Sequence, residues 1–154
     1  MTLAVGGYYL YVVYGFAHLP NPYVADYHKI TAWPCMLACY WSYYKACFTD
    51  PGRLSRTMPE ADLKRAVKRY PYDQLLFDKE GWCDTCDIPK PARSKHCTMN
   101  KICIQKFDHH CVWLNNAVGL YNYKYFILFL FLHACICIYG LVIGVLCAQH
   151  LIEE

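Results

Sequence analysis

Apolar residues are concentrated in three runs that polar segments separate. Residues 1–19 carry no Asp, Glu, Lys or Arg, residues 30–48 carry only Lys45, and residues 121–148 carry only Lys124. A helix that crosses a bilayer needs about 20 apolar residues, so each run has the length of one span. The pattern predicts a mostly α integral membrane protein with three transmembrane helices at these positions.

Basic residues are concentrated between the second and third runs. Of the 15 Lys and Arg residues, 12 lie in 49–120, one lies in the loop 20–29 and none lies in the tail 149–154. Because positive residues stay on the cytosolic side, 49–120 is predicted to be cytosolic, and the loop and tail luminal. The bilayer is an expected partner. The spans and the net charge of only +3 argue against nucleic acid.

The cytosolic segment begins with a predicted amphipathic helix. Residues 57–60, TMPE, match a capping box, and the helix is predicted to continue to about Arg69. Leu63, Val67 and Tyr70 share one face, and the basic residues lie mostly off it. The helix either rests on the anionic leaflet or presents an ordinary solvated face. No internal repeat is apparent in the sequence.

Residues 83–103, CDTCDIPKPARSKHCTMNKIC, concentrate metal-binding residue types. Disulfides are rare in the cytosol, so these cysteines favour metal binding or catalysis. The C-x2-C spacing followed by a histidine and a cysteine suits a tetrahedral zinc site. We predict one structural Zn²⁺ held by four residues: Cys83, Cys86, His96 and Cys103. Cys97 and His110 begin a second set that the spacing alone does not complete.

Several motifs together resemble those of the DHHC protein S-acyltransferases, or palmitoyltransferases. They are the C-x2-C pair, KPARSKHC, KICIQKFDHHC, NNAVG and NYKYF, with DPG after the second apolar run. The resemblance covers roughly residues 30–148 and is greatest to the endoplasmic-reticulum branch. It implies a zinc-held, cysteine-rich domain at about 80–120, clamped to the cytosolic face of at least four spans. The expected location is the endoplasmic reticulum or Golgi membrane.

The chain departs from this family pattern in its second metal site and in its length. The resemblance implies a second site at Cys97, Asn100, His110 and Ala117, of which two are cysteines in the family. Alanine cannot bind metal and asparagine is a poor zinc ligand, so we expect a degenerate second site and one zinc. The family's fourth span and tail have no counterpart here. The chain is expected to be a fragment or truncated product, or to obtain the missing helix elsewhere.

The quartet at 108–111, DHHC, carries the implied chemistry. An acyl thioester needs a thiolate nucleophile, which we assign to Cys111, with His109 as its base and Asp108 fixing the imidazole tautomer. The implied reaction transfers palmitoyl from palmitoyl-CoA through a Cys111 acyl-enzyme to membrane-proximal cysteines of protein substrates. Three cations either bind the CoA phosphates or are plain surface charge: Lys90, Arg93 and Lys95.

Two alternatives to catalysis follow from the same residues. Asn100, Ala117 and the absent fourth span favour a catalytically inactive zinc-binding membrane scaffold derived from this family, whereas the intact quartet favours the enzyme. The second alternative is that the quartet serves purely as a set of zinc ligands, because a motif alone does not prove activity.

Overall fold

The computed structural model describes residues 6–7, 9–69 and 81–153. The chain divides into two compact units, one made of residues 1–42 with 127–154 and the other of residues 43–126. The long helices α1 (His28–Phe48) and α3 (Tyr123–Glu153) each contribute to both units. The second unit also contains the short helix α2 (Glu60–Lys68).

The first unit is helical. The described part of its N-terminal run contains a π-helical turn at Tyr11–Gly15 and a 3-10 turn at Phe16–His18. After these turns, Leu19 and Val24 are buried against Ile143 and Cys147 of α3. Residues 1–5 and 8 of the predicted first span lie outside the described residues.

Only α3 is long and apolar enough to cross a membrane, among the residues that the structure describes. Its apolar window has a mean hydropathy of 2.6, and the helix continues to Glu153 through the predicted luminal tail. The helix α1 covers the predicted second span and retains Pro34 in its interior. One candidate span is therefore present, and the three-span arrangement stays a prediction.

In its described residues, the second unit contains three antiparallel hairpins of short strands. They pair β2 (Trp82–Cys83) with β3 (Ile88–Pro89), β4 (Lys95–Cys97) with β5 (Ile102–Ile104), and β6 (His110–Cys111) with β7 (Asn116–Ala117). A further strand, β1 (Arg53–Leu54), pairs antiparallel with β5 and makes a sheet in the order β1-β5-β4.

The hairpins repeat every 14 residues with the same register. A cysteine in the first strand of each pairs with the residue five positions later: Cys83 with Ile88, Cys97 with Ile102, and Cys111 with Asn116. Each turn also contains a residue in the left-handed region, at φ 52° (Asp87), 53° (Lys101) and 49° (Asn115). This repeat corrects the interpretation that the chain has none. Neither composition nor hydropathy reveals this repeat, because little recurs beyond the cysteines, the histidines at 96 and 110, and the backbone turns.

The helix α2 differs from its prediction at its start and in its surroundings. It begins at Glu60 after Pro59 without a side-chain capping bond, so the predicted capping box is wrong. Its apolar face packs inside the second unit. Ala66 is buried, and Leu63 packs against the same cluster, which includes Leu54 and Cys103. Tyr70 lies outside the described residues.

Two buried asparagines join the third hairpin to the end of α1. Asn122 donates from Nδ2 to the carbonyls of Ala46 (3.1 Å) and Ala117 (2.8 Å), and its Oδ1 accepts the Gly119 N–H (2.8 Å). Asn116 donates from Nδ2 to the Cys47 carbonyl at 2.9 Å. The last carbonyls of a helix have no partner within it, so these side chains satisfy the end of α1.

Gly119 lies where the connection after β7 passes closest to the rest of the unit. A Cβ at this position would lie 2.5 Å from Ile104 Cγ2 and would also overlap the Pro51 carbonyl oxygen. No side chain fits there without moving the backbone. The glycine therefore fixes the separation between the third hairpin and the turn that follows α1.

Candidate functional site

The four residues predicted as the first metal set lie together. The ligand atoms of Cys83, Cys86, His96 and Cys103 lie within 4.8 Å of one another. The sulfurs lie 3.5, 3.2 and 3.9 Å from His96 Nδ1, in the order Cys83, Cys86, Cys103. Tetrahedral bonds of about 2.3 Å to sulfur and 2.05 Å to nitrogen imply a ligand separation of about 3.6 Å. The donor set and its spacing therefore fit a tetrahedral metal such as zinc.

The electrostatics of this cluster also suit a cation. Burial raises the pKa of the Cys103 thiol well above its ordinary range, and the Cys83 and Cys86 sulfurs add to the shift. Burial also pushes the pKa of Cys83 upward, but hydrogen bonds from Cys86 and Cys103 outweigh it and leave that pKa lowered. Three thiolates cannot share this space unaided, because their charges repel one another at short range. A divalent cation would permit all three.

The second set brings together the positions that the resemblance implies, but Asn100 is a weak donor and Ala117 offers no ligand atom. Cys97 Sγ lies 3.8 Å from His110 Nδ1 and donates to Asn100 Oδ1 at 3.4 Å. Ala117 is fully buried and pairs with His110 across the third hairpin, as Cys103 pairs with His96 across the second. Two ligand positions thus lack a thiol, while the backbone that would present them is retained.

The quartet places its acid–base pair side by side. Asp108 Oδ2 lies 3.4 Å from His109 Nδ1, and the imidazole packs edge-on against the Phe126 ring at 5.3 Å. His110 instead belongs to the second metal set. Among the described residues, no hydrogen bond joins Cys111 to His109. The carboxylate therefore lies within hydrogen-bond reach of Nδ1.

Cys111 is only 8% exposed and lies between the ends of two helices. It belongs to a cluster with Ala46 of α1, and Phe126 from the first turn of α3 packs against that cluster. The next two residues have the opposite environment, because Val112 and Trp113 are 70% and 76% exposed. The thiol is thus sheltered at the base of a hairpin whose tip presents apolar side chains.

A basic cleft opens beside the quartet. It encloses about 450 Å³ and is lined by three cations and four other residues: Arg93, Lys95, Lys106, Ser94, Phe107, Asp108 and Tyr123. Two of the three predicted CoA-binding cations, Arg93 and Lys95, are therefore found together. Lys90 is absent from the lining and lies directly after β3.

Lys106 is the member of this cleft that the sequence analysis missed. It and Arg93 both occupy left-handed turns, at φ 47° and 62°, and the Phe107 N–H donates to the Arg93 carbonyl at 3.1 Å. That bond holds the two turns next to each other. A signal was present, since Lys106 directly precedes the FDHHC stretch, but the turn that aims it into the cleft depends on backbone geometry.

Comparison with known proteins identifies the family. The family model described as DHHC palmitoyltransferase matches residues 76–154, which is just over half of the chain. This chain belongs to the DHHC family. The match begins shortly before the first of the three hairpins of this DHHC chain and includes both metal sets, the quartet and all of α3.

Curated relatives of this DHHC chain are named as acyltransferases. "Palmitoyltransferase swf1" of Schizosaccharomyces pombe is 40% identical over 133 residues, which cover 84% of this chain and 34% of the relative. "Palmitoyltransferase ZDHHC4" of Rattus norvegicus is 43% identical over 84 residues, 54% of this chain and 23% of the relative. "Probable protein S-acyltransferase 12" of Arabidopsis thaliana is 42% identical over 100 residues, which cover 62% of this chain and 34% of the relative. The chain thus spans about a third or less of these relatives.

Proposed function

We propose that this DHHC chain carries the catalytic core of a protein-cysteine S-palmitoyltransferase. The observation that carries the proposal is the Asp108–His109 pair at 3.4 Å, immediately before a buried cysteine. A carboxylate that holds Nδ1 makes Nε2 a base and stabilises the imidazolium that forms. The family match and the relatives named palmitoyltransferases support the same reaction.

The proposed reaction has two transfers at one sulfur. His109 Nε2 takes the Cys111 proton, and the thiolate attacks the carbonyl carbon of palmitoyl-CoA as the bond to the CoA sulfur breaks. The CoA thiolate then takes a proton. In the second transfer, a protein cysteine gives its proton to His109, its thiolate attacks the Cys111 thioester, and the bond to the Cys111 sulfur breaks as the acyl group is transferred. His109 then gives that proton to the Cys111 thiolate. His109 needs to turn toward Cys111 in this scheme, since catalytic hydrogen bonds commonly tighten only when substrate binds.

The basic cleft is the proposed site for the CoA phosphates. Its lining includes Arg93, Lys95 and Lys106, together with Asp108 of the quartet. Cations gathered at a recess bind phosphate through charge-assisted hydrogen bonds. Lys90 was assigned the same role from sequence and lies outside this lining, so its contribution is proposed to be long-range attraction only.

The first Cys/His set is proposed to hold one structural Zn²⁺ through Cys83, Cys86, His96 and Cys103. Zinc there would fix the first hairpin to the second, because each supplies two of the ligands. In the second set, Cys97 and His110 remain, and we propose that hydrogen bonding through Asn100 takes the place of the metal.

The proposed setting is the cytosolic face of the endoplasmic reticulum or Golgi membrane, with spans at 1–19, 30–48 and 121–148. The sheltered Cys111 contacts the ends of α1 and α3, which are the cytosolic ends of two predicted spans. The exposed Val112 and Trp113 suit the bilayer interface, where aromatic side chains are enriched. A thiol there meets an acyl chain in lipid, a CoA headgroup in water, and the membrane-proximal cysteines of protein substrates.

Labelling the purified chain tests this function. The chain in detergent is incubated with palmitoyl-CoA carrying a labelled acyl group. A hydroxylamine-sensitive label on the Cys111 peptide, lost in Cys111→Ala and strongly reduced in His109→Ala, is expected. A folded, metal-loaded chain that takes no label would refute the enzyme and leave the zinc-binding scaffold as its function.

A further inference from the structure

Cys47 lies beside the proposed nucleophile. It is in the last turn of α1 and packs, half-buried, against the cluster that contains Cys111, Leu114 and Val118. Its carbonyl accepts a hydrogen bond from Asn116 Nδ2 at 2.9 Å, and Asn116 is the strand partner of Cys111. Directly opposed residues in an antiparallel pair lie about 5 Å apart. Asn116 therefore lies between Cys47, whose carbonyl it contacts, and Cys111, which it faces across the hairpin.

A second link joins this turn of α1 to the hairpin of Cys111. Tyr43, one turn before Cys47 and packed against the same cluster, donates from its hydroxyl to the Trp113 carbonyl at 2.7 Å. Trp113 lies in the turn that directly follows Cys111. The end of α1 that carries Cys47 is thus fixed to this hairpin by Asn116 and by Tyr43.

We propose that Cys47 is an acyl acceptor in cis, which takes the acyl group from Cys111 and holds it at the end of α1. This inference rests on the proposed function. Cys47 has the chemistry of the expected substrates, because it is a thiol at the cytosolic end of a predicted span. It needs no diffusional encounter, since the acyl-enzyme forms within its own cluster, and such proximity is worth a large effective concentration.

The transfer balances without any further reactant. The Cys47 thiolate attacks the carbonyl carbon of the Cys111 thioester, a carbon–sulfur bond to Cys47 forms, and the bond to the Cys111 sulfur breaks. The proton lost by Cys47 passes to Cys111, and no electron changes hands. One thioester replaces another, so the exchange is close to isoenergetic. With palmitoyl-CoA in excess Cys111 is reloaded, and both sulfurs are occupied.

The other cysteines of this unit are committed elsewhere or separated from Cys111. Three belong to the first metal set, and Cys97 is buried against His110 and Asn100. Cys35, twelve residues before Cys47 on the same helix, is exposed and lies in the other unit. It therefore serves as a matched control, since it is a helical thiol that the proposal does not use.

The experiment locates the acyl groups on the full chain in detergent by mass spectrometry after labelling with palmitoyl-CoA. Two hydroxylamine-sensitive acyl groups are expected, on the Cys47 and Cys111 peptides. Cys47→Ala and Cys47→Ser should each carry label on Cys111 alone, Cys35→Ala should resemble the parent chain, and Cys111→Ala should carry none. Retained metal content identifies variants that have folded.

Three results would overturn the inference. Label on Cys111 alone in the parent chain would remove Cys47 as an acceptor while leaving the proposed function intact. Label on Cys47 in Cys111→Ala would mean direct acylation by the thioester donor. In a mixture of Cys111→Ala with Cys47→Ala, label on the Cys47 peptide would mean transfer between molecules. Absence of any label in the parent chain would instead refute the proposed function itself.

Discussion

The second metal set offers a gain-of-binding prediction. Asn100→Cys combined with Ala117→Cys should convert it into a full site and raise the zinc content from one ion per chain to two. Cys97 Sγ and His110 Nδ1 are already 3.8 Å apart, within the 3.2–3.9 Å range of the sulfur–Nδ1 distances in the first set. The two new thiols would enter at positions whose backbone matches that of the first set.

The expected energetics favour the metal over the packing cost. Ala117 has no exposed surface and packs with Cys97 and Ile104, so adding one sulfur there costs about 1–3 kcal/mol in the metal-free chain. A structural zinc site contributes an apparent 10–16 kcal/mol, roughly, at neutral pH. The double variant should therefore be less stable than the parent without metal and markedly more stable with it.

The assay is metal quantification on protein purified in the presence of zinc, with thermal unfolding measured before and after chelation. Asn100→Ser combined with Ala117→Ser is the matched control, because it places a hydroxyl at each position where the test variant has a thiol, and it should keep one zinc. If the double cysteine variant also binds one ion, the equivalence of the two sets is wrong. If the parent chain already binds two, the second set is not degenerate.

Four further changes test other parts of the structure. Asn122→Ala removes three hydrogen bonds of a buried side chain and should cost about 3–5 kcal/mol of unfolding free energy in denaturant titration; a loss below about 1 kcal/mol would contradict its linking role. Gly119→Ala places a methyl group against a backbone carbonyl and should lower the yield of folded, zinc-loaded protein, and an unchanged melting temperature would refute the close approach. Lys106→Ala should raise the KM for palmitoyl-CoA about fivefold, as expected from about 1 kcal/mol per partly exposed charge, with kcat little changed; Lys64→Ala, on the exposed face of α2, is the control, and equal effects would exclude a specific phosphate contact. Cys86→Ser should remove the bound zinc and the cooperative unfolding of the hairpins, whereas retained stoichiometry would remove Cys86 from the ligand set.

The sequence predicted the first metal set and the helix α3, because both depend on residues close together along the chain. The C-x2-C pair with His96 and Cys103 identified which four ligand atoms meet, because a hairpin turn and its neighbour fix those separations. The apolar run at 121–148 predicted α3, since a long uninterrupted run has few other structures available. An apolar face on α2 was predicted, but the residues that pack against it were not. The burial of Leu63 and Ala66 depends on contacts with residues distant in sequence.

The parts that escaped prediction depend on backbone conformation. The turns at Lys101 and Lys106 adopt positive φ with a residue type that has no preference for it, so no sequence signal marks them. Asn116 and Asn122 are ordinary polar residues in the sequence. Their side chains become buried hydrogen-bond donors only because the end of α1 lies beside them. Prediction failed where tertiary context, rather than local preference, decides the structure.

The 14-residue repeat explains why Cys111, the proposed nucleophile, lies outside both metal sets. Each metal set takes two donors from one hairpin and two from the next: Cys83 and Cys86 are joined by His96 and Cys103, and positions 97 and 100 by His110 and position 117. Cys111 occupies the first donor position of the third hairpin, with Leu114 where the second donor would lie. No fourth hairpin follows, because the chain continues directly into α3. The cluster around Cys111 is instead mainly apolar and aromatic, with Ala46, Leu114 and Phe126 among its members, and its one other thiol is Cys47. The same backbone that presents a proposed ligand cysteine therefore presents, one repeat later, the proposed nucleophile, which belongs to neither metal set.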